Sequence, residues 1–197
     1  LVRTRRWTDG VYLDNSYLSC AVYGVDSDYF NTAGLEVIKG RGFFAKDLKG
    51  TSAVCMIDKN IADGLDGDTI IGNTVDIQGN LFTVIGVVRE KSQFEPVINS
   101  VQDYYTYVGY DTNGVVYIPD GMWQVAFRYD EPYNVLLRAK STDEMTVAGK
   151  GTEDLLNSYI TNAESPYGGK IEYKSEDLIE EASQLQQLSQ STNAMVI

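Results

Sequence analysis

The chain has 197 residues, 43% hydrophobic and 22% charged, which is the composition of a folded protein with one sizeable core or two small lobes. Its net charge of −12 argues against a nucleic-acid partner, because phosphate contacts need clustered Lys and Arg. Since the chain has no histidine, Ser-His-Asp, Cys-His and HExxH sites are excluded together, and we expect neither an enzyme nor a bound cofactor.

The start of the chain carries a local basic cluster, Arg3, Arg5 and Arg6 beside Trp7. Clusters of this kind occur near membrane surfaces, but a solvated terminus is the interpretation we favour. No run approaches the roughly 20 apolar residues that cross a bilayer. Because the chain begins at Leu1 rather than Met, we expect it to be a piece of a longer protein.

The first predicted elements are short. The apolar run 20–23 predicts a strand that leads out at Gly24. Asp26 offers a helix cap for a turn over 28–31, and Gly34 ends that turn. A second short strand is predicted for 35–38.

Cys20 and Cys55 lie in two strand-like runs that are candidates for neighbours in the sheet. In an oxidising compartment the two cysteines would be able to form a disulfide. Two buried free thiols, which behave as small hydrophobic side chains, are the interpretation we favour.

Residues 53–57 predict a buried strand, and Asp58 is positioned to cap the helix that follows. The turn after this helix contains Asp63, Asp66 and Asp68, which invite a calcium hypothesis. The ligand spacing is wrong for an EF-hand loop, so we favour a solvated turn and expect no metal site.

Residues 70–88 give the clearest pattern in the sequence, that of a β-hairpin. Gly79 and Asn80 tolerate positive φ and are predicted as a two-residue loop. In that register Ile77 faces Phe82, and Val75 faces Val84. All four of these apolar side chains then lie on one face of the hairpin.

The segment 89–114 loses periodicity and is rich in tyrosine. A loop of this length is usually functional or mobile, and tyrosine gives contact area at low entropic cost. We weigh two hypotheses equally. Either the tyrosines form a partner-binding patch, or their rings fold inward as local core. The residues concerned are Tyr104, Tyr105, Tyr107 and Tyr110.

The second half of the chain predicts a strand at 115–118, a short helix near Trp123, and then a β-α-β arrangement. In that arrangement a strand at 133–139 precedes an amphipathic helix that extends to about residue 160, and a strand at 170–174 follows it. The last predicted helix begins at Glu176. Its apolar stripe consists of Leu178, Ile179, Ala182, Leu185 and Leu188.

Several of these pieces occur in the order of a known signature. Its centre is Ile71-Gly72, Val75, Ile77, Gly79, Phe82 and the run Val84-Ile85-Gly86-Val87. Other pieces are Val22-Tyr23-Gly24-Val25-Asp26, Asp28-Tyr29-Phe30, Gly40-Arg41 with Phe43 and Asp47, Ala62 with Leu65, and Val116-Tyr117-Ile118-Pro119. In combination they resemble the extracytoplasmic (periplasmic core) domain of MacB-like, FtsX-superfamily ABC transporter permeases.

The resemblance implies an α+β fold of two lobes. A porter-like β-α-β lobe would comprise 1–39 and 120–175, and an inserted small mixed α/β lobe built on the hairpin would comprise 40–119. Residues 176–197 would form a stalk helix that leads toward a membrane span. The family's domain usually begins with a further strand and helix, so we expect the porter-like lobe to be incomplete at its N-terminus.

The resemblance also implies a function without catalysis. The domain would face the extracellular or periplasmic side of the cell membrane and transmit ATP-driven motion to substrate or partner handling there. Leu178, Ala182, Leu185 and Leu188 would carry this motion, and the tyrosine-rich loop would make the contact.

The implied partners are the transmembrane helices of the same permease and a separate cytoplasmic ATPase subunit or domain. A membrane-fusion or accessory protein and a second copy are further partners that the resemblance allows. The alternative function is a free-standing extracellular ligand-binding or adhesion module. An enzyme that works without histidine ranks last.

Overall fold

The computed structural model describes residues 1–13, 16–49, 52–65, 69–91, 114–127, 133–160 and 169–175. The chain divides into two units, Leu1–Leu136 and Leu137–Ile197. The described strands are β1 (Val2–Trp7), β2 (Val11–Leu13), β3 (Ser16–Leu18), β4 (Ala21–Val25), β5 (Leu35–Gly40), β6 (Val54–Asp58), β7 (Thr74–Ile77), β8 (Asn80–Glu90), β9 (Val115–Pro119) and β10 (Asn134–Leu136). The described helices are α1 (Tyr29–Thr32), α2 (Ala45–Lys49), α3 (Lys59–Asp63), α4 (Trp123–Ala126) and α5 (Met145–Tyr159), with 3-10 turns at Asp120–Met122 and Thr142–Glu144.

The first unit is organised around one mixed sheet. Its strands follow the order β10-β1-β4-β9-β6-β8-β7-β2-β3, and β5 pairs with β8 beside this path. The pairs β4–β9 and β6–β8 are parallel, and the other pairs are antiparallel. Strands and short helices thus form an α+β fold, as predicted. The proposed boundaries of the two lobes stay a prediction.

At its central strands the sheet carries apolar side chains on both faces, because alternate residues of a strand point in opposite directions. On β9, Val116 and Ile118 join the larger core, which includes Phe82 and Trp123. Tyr117, between them, joins a second cluster on the other face. The second cluster also contains Val25, Tyr29, Met56 and Val88. The central strands are therefore held from both sides.

The hairpin forms, but its register differs from the predicted one. Gln78 and Gly79, with φ of 53° and 82°, make the loop in place of Gly79 and Asn80, so Ile77 pairs with Asn80. The Asp76 carboxylate accepts a hydrogen bond of 2.7 Å from the Gly79 N–H, which fixes the turn one residue earlier. Each residue of β7 therefore pairs with the residue of β8 two positions before the predicted one, so its side chain still points to the predicted face. Val75, Ile77, Phe82 and Val84 are therefore all buried, as predicted.

The prediction of a solvated N-terminus is wrong for Arg5, although Arg3 and Arg6 are exposed. Residues 2–7 form β1, which lies between β10 and β4. Arg5 is only 5% exposed, and its guanidinium bonds the Asp120 carboxylate at 3.3 Å and lies 4.1 Å from the centre of the Tyr133 ring. The Arg5 side chain is thus buried, and the Asp120 carboxylate and the face of the Tyr133 ring compensate its charge.

The helix after β6 confirms its predicted cap. The Asp58 carboxylate accepts a hydrogen bond of 3.0 Å from the backbone N–H of Ile61. The same carboxylate accepts one of 2.9 Å from the N–H of Val115, at the start of β9. Asp58 therefore links α3 to a strand far away in sequence.

Cys20 and Cys55 are both free and buried, which agrees with the favoured interpretation. Burial raises the pKa of the Cys20 thiol to about 11 and raises that of Cys55 further. Both side chains pack in the larger core as apolar groups.

In the second unit, α5 confirms the predicted helix, but the strand predicted for 170–174 is wrong. Lys170 makes a single bridge, and residues 171–175 have no regular structure. The Asn157 amide of α5 donates to the Tyr173 carbonyl at 2.9 Å and accepts from the Tyr173 N–H at 2.7 Å. One side chain thus satisfies the two backbone groups that a neighbouring strand would satisfy.

In the part of the chain that the structure describes, no helix is long and apolar enough to cross a membrane. The predicted stalk helix at 176–197 lies outside that part.

Candidate partner-binding surface

The residues for which the sequence predicts a function lie outside the described ranges. They are Tyr104, Tyr105, Tyr107, Tyr110, Leu178, Ala182, Leu185 and Leu188. Their roles stay predictions. The structure instead draws attention to a surface around the end of β5, where the motif residues Gly40, Arg41, Phe43 and Asp47 come together with β8.

A β-bulge shapes the edge of this surface. In the ladder between β5 and β8, Val37 pairs with Val88 and Lys39 pairs with Val87, so Ile38 is an extra residue. An extra residue interrupts the alternation of side chains between the two faces. Val37 and Ile38 are consequently both exposed, at 43% and 40%.

Glycines bring the chain after the bulge against β8. Gly40 has a φ of 71°, and a Cβ there would collide with the carbonyl oxygen of Ile85. A Cβ at Gly86 would collide with the carbonyl oxygen of Arg41. The Arg41 N–H donates to the Ile85 carbonyl at 2.9 Å. Only glycine at 40 and 86 therefore permits this close contact between the two backbones.

A buried carboxylate fixes the next turn. Asp47, the third residue of α2, is 2% exposed. Its Oδ2 accepts hydrogen bonds from the Arg41 guanidinium at 2.7 Å and from the Phe44 N–H at 2.8 Å. The Arg41 hydrogen bond, with that from Phe44, holds the pKa of Asp47 below its usual range against the opposing effect of burial. The carboxylate thus stays ionised and caps the first turn of α2.

The two phenylalanines of this turn point in different directions. Phe43 is partly buried and packs on Phe30 with ring centroids 5.8 Å apart, and Phe30 packs on Tyr117 at 5.3 Å. Phe44 is 54% exposed, with the Arg41 guanidinium 4.4 Å from its ring centre. Phe43 anchors the turn to the sheet, and Phe44 is presented to solvent on a fixed backbone.

We call this surface the basic platform. Its exposed apolar side chains are Val37, Ile38, Phe44 and Ile71. The charged residues of the segment 39–49 that forms it are Lys39, Arg41, Lys46, Asp47 and Lys49. Four basic residues against one acidic residue give a local excess of three positive charges in a chain of net charge −12.

The basic platform has the chemistry of a binding surface. Exposed apolar groups contribute affinity, and charged groups around them contribute specificity and rate of encounter. Among the described residues, no cluster of three His, Cys, Asp or Glu side chains is arranged to hold a metal ion. Asp63 of the calcium hypothesis pairs with Lys59, and Asp66 and Asp68 lie outside the described ranges.

The sequence analysis named Gly40, Arg41, Phe43 and Asp47 only as part of the family signature and did not predict the basic platform. A signal was present: residues 39–49 combine adjacent phenylalanines with four basic residues in an acidic chain. Which phenylalanine is buried follows from tertiary contacts and cannot be read from the sequence.

Comparison with known proteins places this fold in a family. Residues 2–155 match the profile of the MacB-like periplasmic core domain. The chain belongs to this family. It is an extracytoplasmic domain of a MacB-like ABC transporter permease, as the resemblance in the sequence implied.

Relatives of this MacB-like domain include the ABC transporter permease YvrN of Bacillus subtilis. It is 33% identical over 172 residues, which cover 86% of this chain and 39% of the relative. The macrolide export ATP-binding/permease protein MacB of Neisseria gonorrhoeae is 28% identical over 154 residues, which cover 77% of this chain and 23% of that protein. The chain thus spans well under half the length of these relatives.

Solved structures share the fold. The extracellular domain of the transporter YknZ, from Gram-positive bacteria, superposes with a TM-score of 0.59 at 23% identity, covering 89% of this chain and 80% of that one. The periplasmic region of MacB from Actinobacillus actinomycetemcomitans gives a TM-score of 0.55 at 21% identity, covering 79% of this chain and 65% of that one. At these identities the likeness concerns the fold.

Proposed function

We propose that this MacB-like domain transmits motion, driven by ATP hydrolysis in the cytoplasm, to a substrate or partner outside the membrane. The stalk segment 176–197 delivers the motion, and the first unit carries it to the contact surface. The ATPase is a separate cytoplasmic subunit or domain, and the membrane-spanning helices belong to the same permease.

The observation that carries this proposal is the continuous sheet of the first unit. Its central strands β4, β6 and β9 are packed with apolar side chains on both faces, and Val22, Cys55, Met56, Val116 and Ile118 are inaccessible to solvent. A close-packed layer of this kind has low compressibility, so it moves as a body when one part of it is pushed. Hinge and shear motions in proteins displace rigid bodies of this kind.

A role without catalysis agrees with the side chains of the domain. The chain has no histidine, and in the part that the structure describes the buried carboxylate, Asp47, is already bonded to Arg41 and to the Phe44 N–H. The buried cysteine thiols have raised pKa values, which disfavours the thiolate that nucleophilic chemistry needs. We therefore assign no reaction to the domain.

Contacts outside the membrane remain part of the proposal. The tyrosines at 104, 105, 107 and 110 are one contact region that the sequence suggests. A membrane-fusion or accessory protein is a candidate occupant, and a second copy of the permease is another.

The stalk role is tested in the intact permease with Leu185→Gly and Leu188→Ser together. These changes remove two apolar side chains of the predicted stripe and weaken the helix. We expect the purified permease to keep its ATP hydrolysis within about twofold, a difference below about 0.5 kcal/mol. The variant gene should nevertheless fail to reverse the phenotype that deletion of the permease gene produces.

The matched control changes the opposite, polar face of the same predicted helix, with Gln184→Gly and Gln187→Ser. This variant should restore the phenotype like the wild type. Full restoration by the leucine variant, with ATP hydrolysis intact, would contradict the stalk role.

A further inference from the structure

We propose that the basic platform binds an acidic segment of a partner protein, and that apolar side chains of this segment cover Phe44 and its neighbours. The inference deepens the proposed function, since it assigns a chemistry to one outside contact of the domain. It rests on contacts within the first unit and requires no knowledge of the cargo.

The apolar part of the platform is an anchor site. Phe44 is 54% exposed, Val37 43%, Ile38 40% and Ile71 37%. Three of them lie beside or just after the stretch 40–42. Ile71 packs beside Gly40, Val37 lies next to Gly42, and Phe44 comes two residues after Gly42. Aromatic side chains at the centre of an interface often contribute a large share of the binding energy.

The charges around the anchor site select the partner. Lys46 and Lys49 are exposed, and Lys39 and Arg41 are partly exposed. Lys46 Nζ lies 5.9 Å from the centre of the Phe44 ring, so a cation stands directly beside the apolar anchor. Because the rest of the chain carries a large negative charge, this patch attracts an acidic segment that the remaining surface repels. Repulsion elsewhere directs such a segment to the platform.

The backbone of the platform is fixed before any partner arrives. The Asp47 carboxylate bonds both Arg41 and the Phe44 N–H, and Phe43 anchors the turn in the aromatic cluster. Gly40 and Gly86 hold the preceding residues against β8. Binding therefore loses little backbone entropy, which increases affinity for a given contact area.

The test uses the chain of residues 1–197 and a fluorescent peptide rich in glutamate, with phenylalanine and leucine at every third or fourth position. Fluorescence anisotropy measures binding at low and at high salt. We expect saturable binding that weakens as salt rises, because the platform charges are exposed. Phe44→Ser and Lys46→Glu should each weaken binding by about tenfold.

Two variants elsewhere on the surface serve as matched controls. Leu81→Ser removes an apolar side chain that is 64% exposed. Lys59→Glu reverses an exposed charge on α3. Both should leave peptide binding unchanged. Circular dichroism of all four variants verifies that they are folded. A variant that is folded but does not bind has therefore lost binding alone.

Three results would overturn the proposal. One is the absence of saturable peptide binding, and another is an equal loss of binding in the control variants. The third is binding to vesicles of phosphatidylglycerol, or self-association of the chain, that depends on Phe44 and Lys46 while the peptide does not bind. No ATP is present, so failure of this test leaves the relay of motion standing, and failure of the stalk test leaves this binding standing.

Discussion

At the scale of single residues, Asp47 does most to fix the platform. It is 2% exposed, and its carboxylate bonds Arg41 and the Phe44 N–H. A carboxylate whose pKa is lowered by folding stabilises the protein above its unfolded-state pKa, near 4. This stabilisation is lost as the pH falls from about 4 through the lower folded-state pKa.

Asp47→Asn should therefore lower the free energy of unfolding by about 2 kcal/mol at neutral pH, the usual effect of losing hydrogen bonds to a buried charge. Urea denaturation followed by fluorescence measures this difference. The gap between wild type and variant should begin to shrink as the pH falls below about 4, where Asp47 of the unfolded chain becomes protonated, and should close once the folded-state carboxyl is protonated as well.

Asp63→Asn is the control, because this carboxylate pairs with Lys59 on the exposed surface of α3. Its effect should stay within about 0.5 kcal/mol. Equal losses in the two variants, or a gap for Asp47→Asn that persists at low pH, would contradict the role given to Asp47.

The identity of a residue predicted its surroundings correctly at some positions and wrongly at others. The caps and turns of Asp58 and Gly34 follow from local backbone chemistry, and both agree with the structure. Arg5 does not follow from local chemistry. Its partners Asp120 and Tyr133 are more than 100 residues away in sequence, and only these tertiary contacts allow this basic side chain to be buried.

At the scale of elements, the alternation of apolar residues predicted which face of the hairpin is buried but not its register. A shift of two residues keeps the same side chains inward, so hydrophobicity alone cannot distinguish the two registers. The turn decides between them, through the Asp76 carboxylate and the Gly79 N–H.

The strand predicted for 170–174 shows a different limit. Its alternating pattern is present, but Asn157 bonds Tyr173, and Glu153 accepts hydrogen bonds of 2.7 Å and 2.6 Å from the backbone and hydroxyl of Ser175. These side chains of α5 occupy the backbone groups that a sheet would use. A pattern of residues carries no information about such competition.

The contact between β8 and the chain after β5 makes a prediction for Gly86→Ala. The added Cβ would collide with the Arg41 carbonyl, so the two backbones must separate. We expect the free energy of unfolding to fall by about 1–3 kcal/mol, as for other overpacked sites. Peptide binding at the platform should weaken in parallel, because the turn that presents Phe44 moves.

Gly64→Ala is the matched control for thermal and urea unfolding. Gly64 has an ordinary φ of −75°, and its nearest neighbours to an added Cβ are 3.6 Å away. Stability should be unchanged or slightly raised, since alanine restricts the unfolded chain. A wild-type stability for Gly86→Ala would show that the close contact with Arg41 is not needed.

At the scale of the whole molecule, an acidic chain carries a patch of opposite charge on a sheet that is packed from both faces. The sheet belongs to the fold of the family, which related extracytoplasmic domains share. The sequence predicted this family from its motifs, and it predicted the α+β class. The paths of strands between distant segments, such as β1 between β4 and β10, depend on long-range pairing that no local pattern specifies.

The most direct test of the central claim is a pair of spin-label distances in the intact permease, measured with and without ATP. One pair joins Leu81→Cys, on the sheet, to Gln187→Cys, in the predicted stalk. The control pair joins Leu81→Cys to Val37→Cys, both exposed on the first unit. Cys20 and Cys55 are buried and poorly reactive, and any cysteine of the permease outside residues 1–197 is replaced by serine before labelling. We predict that ATP changes the first distance and leaves the second unchanged. A first distance that is the same in both states would contradict ATP-driven motion of the stalk relative to the sheet, and a second distance that changes would contradict a sheet that moves as a rigid body.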